Sequence, residues 1–232
     1  MHEHNHPPAI FIADATALDF LNSIATPVDT TIDWIDSGEG LLAWLEQAGL
    51  VPSGELAALR ARAMPGELDG VAAQARALRE WFREFVRQHM GRPLTQDALQ
   101  ALQPLNRLLE RDESYTQVVV GSLAAAGTDD ADAATADTPA ASPADATGAL
   151  RLQVTRRWRS PESLLLPIGE ALARFVASED FTYVKHCEGA RCTLLFADHT
   201  RGHRRRWCST AVCGNRAKVA AHRQRARQAS AR

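Results

Sequence analysis

Cys187-Glu-Gly-Ala-Arg-Cys192, followed after fifteen residues by Cys208-Ser-Thr-Ala-Val-Cys213, places all four cysteines of the chain within its last 46 residues. Two close pairs separated by a loop of this length suit a tetrahedral zinc ion. Each pair can fold back on itself and present two sulfurs to one point, while the intervening segment brings the pairs together. Four thiolates leave no open coordination position, so the pattern predicts one structural Zn2+ on Cys187, Cys192, Cys208 and Cys213 and argues against a catalytic one. His186, His199 and His203 lie near enough to substitute for a cysteine, but with four thiols at hand they are expected to face solvent or phosphate. His2, His4 and His6 read as a frayed terminus rather than a metal site.

Outward from the cysteines the chain is strongly basic. Residues 185–232 hold 12 Lys and Arg against 2 Asp and Glu, a net +10, whereas residues 1–184 hold 14 against 26, a net −12. An acidic body with a basic tail suggests that the tail meets a polyanion. A zinc bound by four thiolates carries a formal charge of about −2, so part of the Arg204-Arg205-Arg206 run can serve to neutralise it. The terminal helix is the better evidence. At 100° per residue Arg216, Ala220, Arg223 and Arg227 share one face, Lys218, His222 and Arg225 share the opposite one, and Val219 is the one sizeable apolar residue. Such a helix has little to bury and is suited to lie against phosphates. A solvated tail or a protein-docking helix is the competing reading.

The 232 residues, 45% hydrophobic and 23% charged, suffice for one large domain and a small one. No apolar run approaches a membrane helix, and Met1-His2-Glu3-His4-Asn5-His6-Pro7-Pro8 lacks the features of a signal peptide. The expectation is a cytoplasmic protein with reduced thiols and no membrane partner. No nucleophile and base, glycine-rich phosphate loop or catalytic metal motif is found, so the chain does not read as an enzyme.

The body reads as mainly helical. Ser37 can cap a helix carrying Leu41, Leu42, Trp44 and Leu45 and ended by Gly49, and Ser53 can cap the next. Val71, Ala75, Leu78, Phe82, Phe85 and Val86 recur at helical spacing from about Leu68 to Met90, where Gly91 stops the helix. Thr95 opens a further segment that Pro104 restarts or kinks. Tyr115–Val120 and Leu150–Thr155 are β-prone and predict a hairpin around a disordered loop at 121–148, rich in Ala, Asp, Thr and Pro. Pro161 and Glu162 open a last helix through Leu172 and Phe175.

Cys187-Glu-Gly-Ala-Arg-Cys192, Leu195-Phe196-Ala197-Asp198, Arg205-Arg206-Trp207-Cys208-Ser209 and Cys213-Gly214-Asn215-Arg216 together resemble the CGNR zinc finger. Leu18-Asp19-Phe20-Leu21-Asn22 and Leu78-Arg79-Glu80 resemble its usual N-terminal companion, the ABATE domain. The resemblance implies a bacterial transcription regulator whose finger binds DNA.

The expected architecture is therefore α+β. A mainly helical ABATE-like domain with a small β-hairpin spans residues 1–180, and a small treble-clef-like zinc finger with a basic C-terminal helix spans 181–232. In the finger, Cys187 and Cys192 would form a knuckle, Thr193–Trp207 a hairpin turning near Thr200–His203, and Cys213 the first turn of a helix. Gly214 would let the backbone approach that sulfur. The expected function is a DNA-binding transcriptional regulator, with Arg204, Arg205, Arg206, Arg216, Lys218, Arg223, Arg225 and Arg227 on duplex DNA. The alternative is a zinc-stabilised adaptor for RNA or an acidic protein partner. In the body, Asp19 and Asn22 read first as caps or buried hydrogen-bond partners tying the first element to the long helix. The second reading places them with Arg79 in a pocket for a small-molecule effector. A homo-oligomer is compatible with either function.

Overall fold

The computed structural model of the protein describes residues 6–26, 30–120 and 150–230. Contacts divide the chain into two compact units, Met1–Asp112 with Trp158–Arg232, and Glu113–Arg157.

The first unit is a helical body that runs directly into the cysteine region. Its helices are α1 (Thr16–Leu21), α2 (Gly38–Gln47), α3 (Ser53–Arg62), α4 (Glu67–His89), α5 (Ala98–Ala101), α6 (Gln103–Leu109) and α7 (Leu165–Ser178). Ser37 caps α2 as its spacing predicts, its hydroxyl accepting from the Gly40 N–H at 3.2 Å. Helix α3 begins one residue early, with Ser53 as its first helical residue and Pro52 in the cap position. Proline there fixes φ where no helical N–H bond is required.

Helix α4 organises the body. It carries Glu67 and Asp69 in its first turn and Arg87 and His89 in its last, the arrangement its dipole favours. Its inner stripe buries Val71, Ala72, Ala75, Phe82, Phe85 and Val86. Phe82 and Phe85 meet Phe175 and Phe181 edge to face at 6.2 and 6.0 Å. Helix α2 crosses α4 where a Cβ on Gly38 would fall 2.4 Å from the Leu68 Cβ, so only glycine permits this approach.

Downstream, Pro104 sits in the first turn of α6 and restarts the helix after α5. Pro161 opens a 3-10 turn, Pro161–Leu164, that feeds α7. Two strands of two residues each, β1 (Ile24–Ala25) and β2 (Ile32–Asp33), pair antiparallel. Segments that short leave no periodicity to read in a sequence. Among the described residues no helix is long and apolar enough to cross a membrane.

The core does not stop at the end of α7. Strand β5 (Val184–His186) pairs antiparallel with β6 (Leu195–Ala197), and Leu195, Phe196 and Ala197 are fully buried in the same cluster as Leu18, Leu21 and Leu172. The second unit is the predicted hairpin, β3 (Ser114–Val120) against β4 (Leu150–Arg156), in register from Ser114↔Arg156 to Val120↔Leu150. The loop expected at 121–148 lies outside the described residues.

These elements give the α+β class that the sequence predicts.

Candidate metal centre and basic surface

The β5–β6 pair brackets the first cysteine pair. Cys187 follows β5 directly, its N–H donating to the Leu194 carbonyl at 2.9 Å, and a turn closed by Cys192 N–H on the Gly189 carbonyl brings Cys192 back beside it. The paired strands thus flank the Cys187–Cys192 knuckle. The sequence places the hairpin later, over Thr193–Trp207; there the structure has a turn at Thr200–His203 whose return segment is irregular. The reason lies in Asp198, which draws that return inward by accepting from the Arg205 N–H.

Cys208 and Cys213 flank the start of a π-helical turn, Thr210–Gly214, which continues into α8 (Asn215–Ser230). Ser209 caps this turn through its hydroxyl, which accepts from Val212 N–H at 3.3 Å. Cys213 therefore lies in the π turn, just ahead of the regular helix. Gly214 packs against Thr210 and Trp207 rather than against a sulfur. The glycine that does face sulfur is Gly189, where a Cβ would meet the Cys213 Sγ at 3.1 Å. Its position inside the x4 spacer is the sequence signal that points to it.

All four cysteines are free thiols, and their sulfurs lie within 4.8 Å of one another. Cys192 to Cys208 measures 3.7 Å and Cys208 to Cys213 3.6 Å. A tetrahedron of thiolates with metal–sulfur bonds of ~2.3 Å has edges of ~3.8 Å, so the donor set fits a zinc ion in spacing as well as in type. Backbone N–H groups of Gly189 and Cys208 point at the Cys187 sulfur at 3.4 and 3.3 Å, favouring negative charge on it. Among the thiols, the hydrogen bond from Cys208 brings Cys192 down to about 5, while that same bond pushes Cys208 up. Burial pushes Cys213 up to about 11. Among the described residues no histidine joins the cluster. His199 bonds the Glu179 carboxylate at 3.0 Å, and His203 stacks on Tyr183 with centroids 3.5 Å apart.

Polar contacts on Asp198 organise the finger internally, and others, through Arg205 and Asn22, fix it to the body. Asp198, fully buried, accepts from Lys185 Nζ at 2.7 Å, from the Thr200 hydroxyl at 2.6 Å, and from the backbone N–H groups of Thr200 and Arg205. Burial alone would raise its pKa, but these donors outweigh it and hold the carboxyl at about 2. Arg205 lies over the Phe196 ring at 4.3 Å, donates to the carbonyls of Ile12 and Cys208 at 2.8 and 2.6 Å, and pairs with Asp14. Asn22 bridges the backbone of β6 completely. Its Nδ2 donates to the Leu195 carbonyl at 2.8 Å, and its Oδ1 accepts the Leu195 N–H at 2.9 Å.

The candidate body residues are thus placed as internal partners. Asn22 ties α1 to β6, not to the long helix; that tie is made by the neighbouring Ser23, whose hydroxyl accepts from Arg79 at 2.9 Å. Arg79, 2% exposed, also makes a two-pronged pair with Asp33 at 2.7 and 2.8 Å and bonds Glu80. Burial pushes Asp19 up to about 6, although its carboxylate accepts the N–H groups of Ile12 and Ala13, each at 3.0 Å. No hydrogen bond joins Asp19 to Arg79.

The basic residues divide sharply. Arg205 is turned inward, and Arg206 pairs with Glu188 at 2.5 Å while lying over Trp207. Arg204, Lys218, Arg223, Arg225 and Arg227 are exposed and have no partner among the described residues. Arg216 is exposed as well. Helix α8 contains no acidic residue, and from Asn215 to Gln228 every residue is exposed except the half-buried Ala217. A cleft of about 610 Å³ runs between the knuckle and α8, lined by Gly189, Arg191, Arg216, Ala217 and Ala220 among others.

Fold and site together define a helical protein with a four-cysteine cluster followed by an exposed basic helix. The chain belongs to the ABATE family, "Putative stress-induced transcription regulator", whose model matches residues 14–179, and residues 183–226 match the CGNR zinc finger. No curated protein matches the chain.

Proposed function

We propose that the protein is a DNA-binding transcriptional regulator whose C-terminal part, residues 181–232, holds one structural zinc ion on Cys187, Cys192, Cys208 and Cys213. When bound, the ion supplies a four-point cross-link and offsets the thiolate charge. The chain's own residues do the rest. Gly189 admits Cys213 to the knuckle, the π turn leads into α8, Asp198 organises the Lys185–Arg205 turn, and Arg205 fixes it to Ile12 and Asp14 of the body.

The observation that carries this reading is α8 itself. It is a regular helix with five Lys and Arg residues, no acid and no buried face, a combination that leaves phosphates as its natural counterpart. The alanines at 217, 220, 221 and 226 keep the helix slim enough for close approach to a groove. Arg204, Arg216, Lys218, Arg223, Arg225 and Arg227 are the proposed phosphate contacts. Arg205 belongs to the framework, and Arg206 is already paired with Glu188. The protein acts, in this reading, inside a bacterial cytoplasm, and nothing in its site calls for catalysis.

The test is a titration of duplex DNA, single-stranded DNA and RNA against the full chain across a salt series. Duplex binding whose logarithmic slope against salt is about −4 to −5, the value for four to six phosphates, is expected. Equal or tighter binding to RNA, or no binding to any of them, would move the adaptor reading ahead.

A further inference from the structure

The β3–β4 hairpin carries an aliphatic face that none of the described residues of its own unit covers. Directly paired residues in an antiparallel ladder share a face, as do residues two apart along each strand. The register therefore puts Val118 with Leu152, Val120 with Leu150, and Thr116 with Val154 on one side. Val118, Val120, Leu150, Leu152 and Val154 are 63–74% exposed. The opposite side holds Tyr115, Gln117, Val119, Arg151, Gln153 and Thr155, a mainly polar set. The alternation is thus that of a half-buried sheet, with the apolar half turned to solvent.

Two physical arguments say that this face is normally covered. A two-stranded hairpin with one apolar face is at best marginally stable in water alone. Five aliphatic side chains at these exposures, at roughly 100 Å² each, also leave about 500 Å² of contiguous apolar surface, near the top of the ~300–600 Å² range for the largest patch on a monomer.

We propose that this face seats a second copy of the chain, hairpin on hairpin. Two such faces pressed together bury about 1,000 Å², close to the ~1,200 Å² at which specific interfaces begin, and Thr116 with the ends of the ladder supplies the remainder. The chemistry is that of a self-complementary contact. The Thr116–Val154, Val118–Leu152 and Val120–Leu150 rows are uncharged, with Arg156 standing at the Ser114 end of the face, so these rows select no partner by charge, and homodimer interfaces are the most apolar class. A two-fold axis through the Val118–Leu152 row sets that row against itself and each Val120–Leu150 row against the partner copy's Thr116–Val154 row. The proposal is independent of what α8 binds.

The experiment is the solution mass of the full chain by sedimentation in a dilution series, for the wild type and three variants. The wild type should sediment at twice 25.3 kDa and dissociate on dilution. Leu152→Glu would bury an unpaired carboxylate and should weaken the dimer by roughly 30-fold or more. Val118→Thr keeps the β-branched shape that favours a strand and should weaken it less, while Arg151→Glu, on the polar side of the same strand, should leave it unchanged. Hydrogen exchange of the β3 and β4 amides in the wild type and in Arg151→Glu reports whether the hairpin is folded. A wild type that stays at 25.3 kDa at every concentration overturns the proposal, protected hairpin amides in that monomer meaning that the face is covered by its own chain. Dimerisation undiminished by Leu152→Glu overturns it as well, and so does equal loss in Leu152→Glu and Arg151→Glu, which would trace the effect to hairpin unfolding.

Discussion

Arg205 and Arg223 belong to the same basic tail, eighteen residues apart, and the structure gives them opposite duties. Arg205 lies over Phe196 and donates to Ile12 and Cys208, so its charge is spent on joining the finger to the body. Arg223 stands on a helix whose described residues are exposed apart from the half-buried Ala217, and has no partner among the described residues. Net charge identifies a region that meets a polyanion, but only the contacts of each side chain show which charges are still available to one. The cysteine region shares the core of the body, whereas the side chains of α8 are largely exposed.

The largest effect should come from removing the metal. Structural zinc in fingers is worth ~10–16 kcal/mol of apparent binding energy. Chelation, or Cys208→Ser, should therefore expose the amides from about Arg204 through α8 to exchange. The amides of Leu195 and Ala197 should stay protected, because they bond Asn22 Oδ1 and the Ala13 carbonyl within the body core. Hydrogen exchange resolves the two segments. Loss of protection in β6 together with α8 would show that the finger is one cooperative piece separate from the body.

Next in size is the bridge. Asn22→Ala leaves the Leu195 N–H and C=O without partners in a site that is 1% exposed, at a cost of about 2–4 kcal/mol in unfolding free energy measured by denaturant titration. An effect under about 0.5 kcal/mol, the range of an ordinary surface change, would mean that β6 is held chiefly by its apolar packing.

The two arginines can then be separated directly. Arg205→Ala should lower stability by about 1–3 kcal/mol and leave the salt slope of the remaining DNA binding unchanged. Arg223→Ala with Arg227→Ala should do the reverse, keeping stability within about 0.5 kcal/mol and reducing the slope by about two. A stability loss from the helix pair would show that α8 is packed in solution.

The smallest effects are in pH, and here body and finger have opposite signs. Asp198, held at about 2 against an ordinary 3.8, contributes stability that is present above pH ~4 and lost as pH falls toward 2. Asp19 is raised to about 6, so its contribution is present below pH ~4 and lost as pH rises through 6. Asp19→Asn should flatten the stability profile between pH 4 and 7, and Asp198→Asn the profile below 4. A flat wild-type profile between 4 and 7 would place Asp19 in a wetter site than its burial indicates.

The sequence by itself determined the helices, the hairpin and the cysteine cluster, because each rests on a local signal. Ser37 and Gly49 bracket α2, the apolar stripe of α4 repeats from Val71 to Val86, over about four turns, and the x4 spacers fold each cysteine pair back on itself. Even the register of chemistry along α8 is local, since a helix with no apolar stripe has no face to bury. Tertiary structure decided the rest. Asn22 and Leu195 are 173 residues apart, and nothing near either announces that one side-chain amide will satisfy both backbone groups of the other. The sequence makes Arg79 a candidate for an effector pocket, and the fold supplies Asp33 and Ser23 to occupy it. Arg204, Arg205 and Arg206 are three identical letters in a row. Which of them turns inward was settled by where Asp198 draws the chain and by the Phe196 ring waiting beneath it, because a buried cation is tolerated only where carbonyls, a carboxylate or an aromatic face already stand.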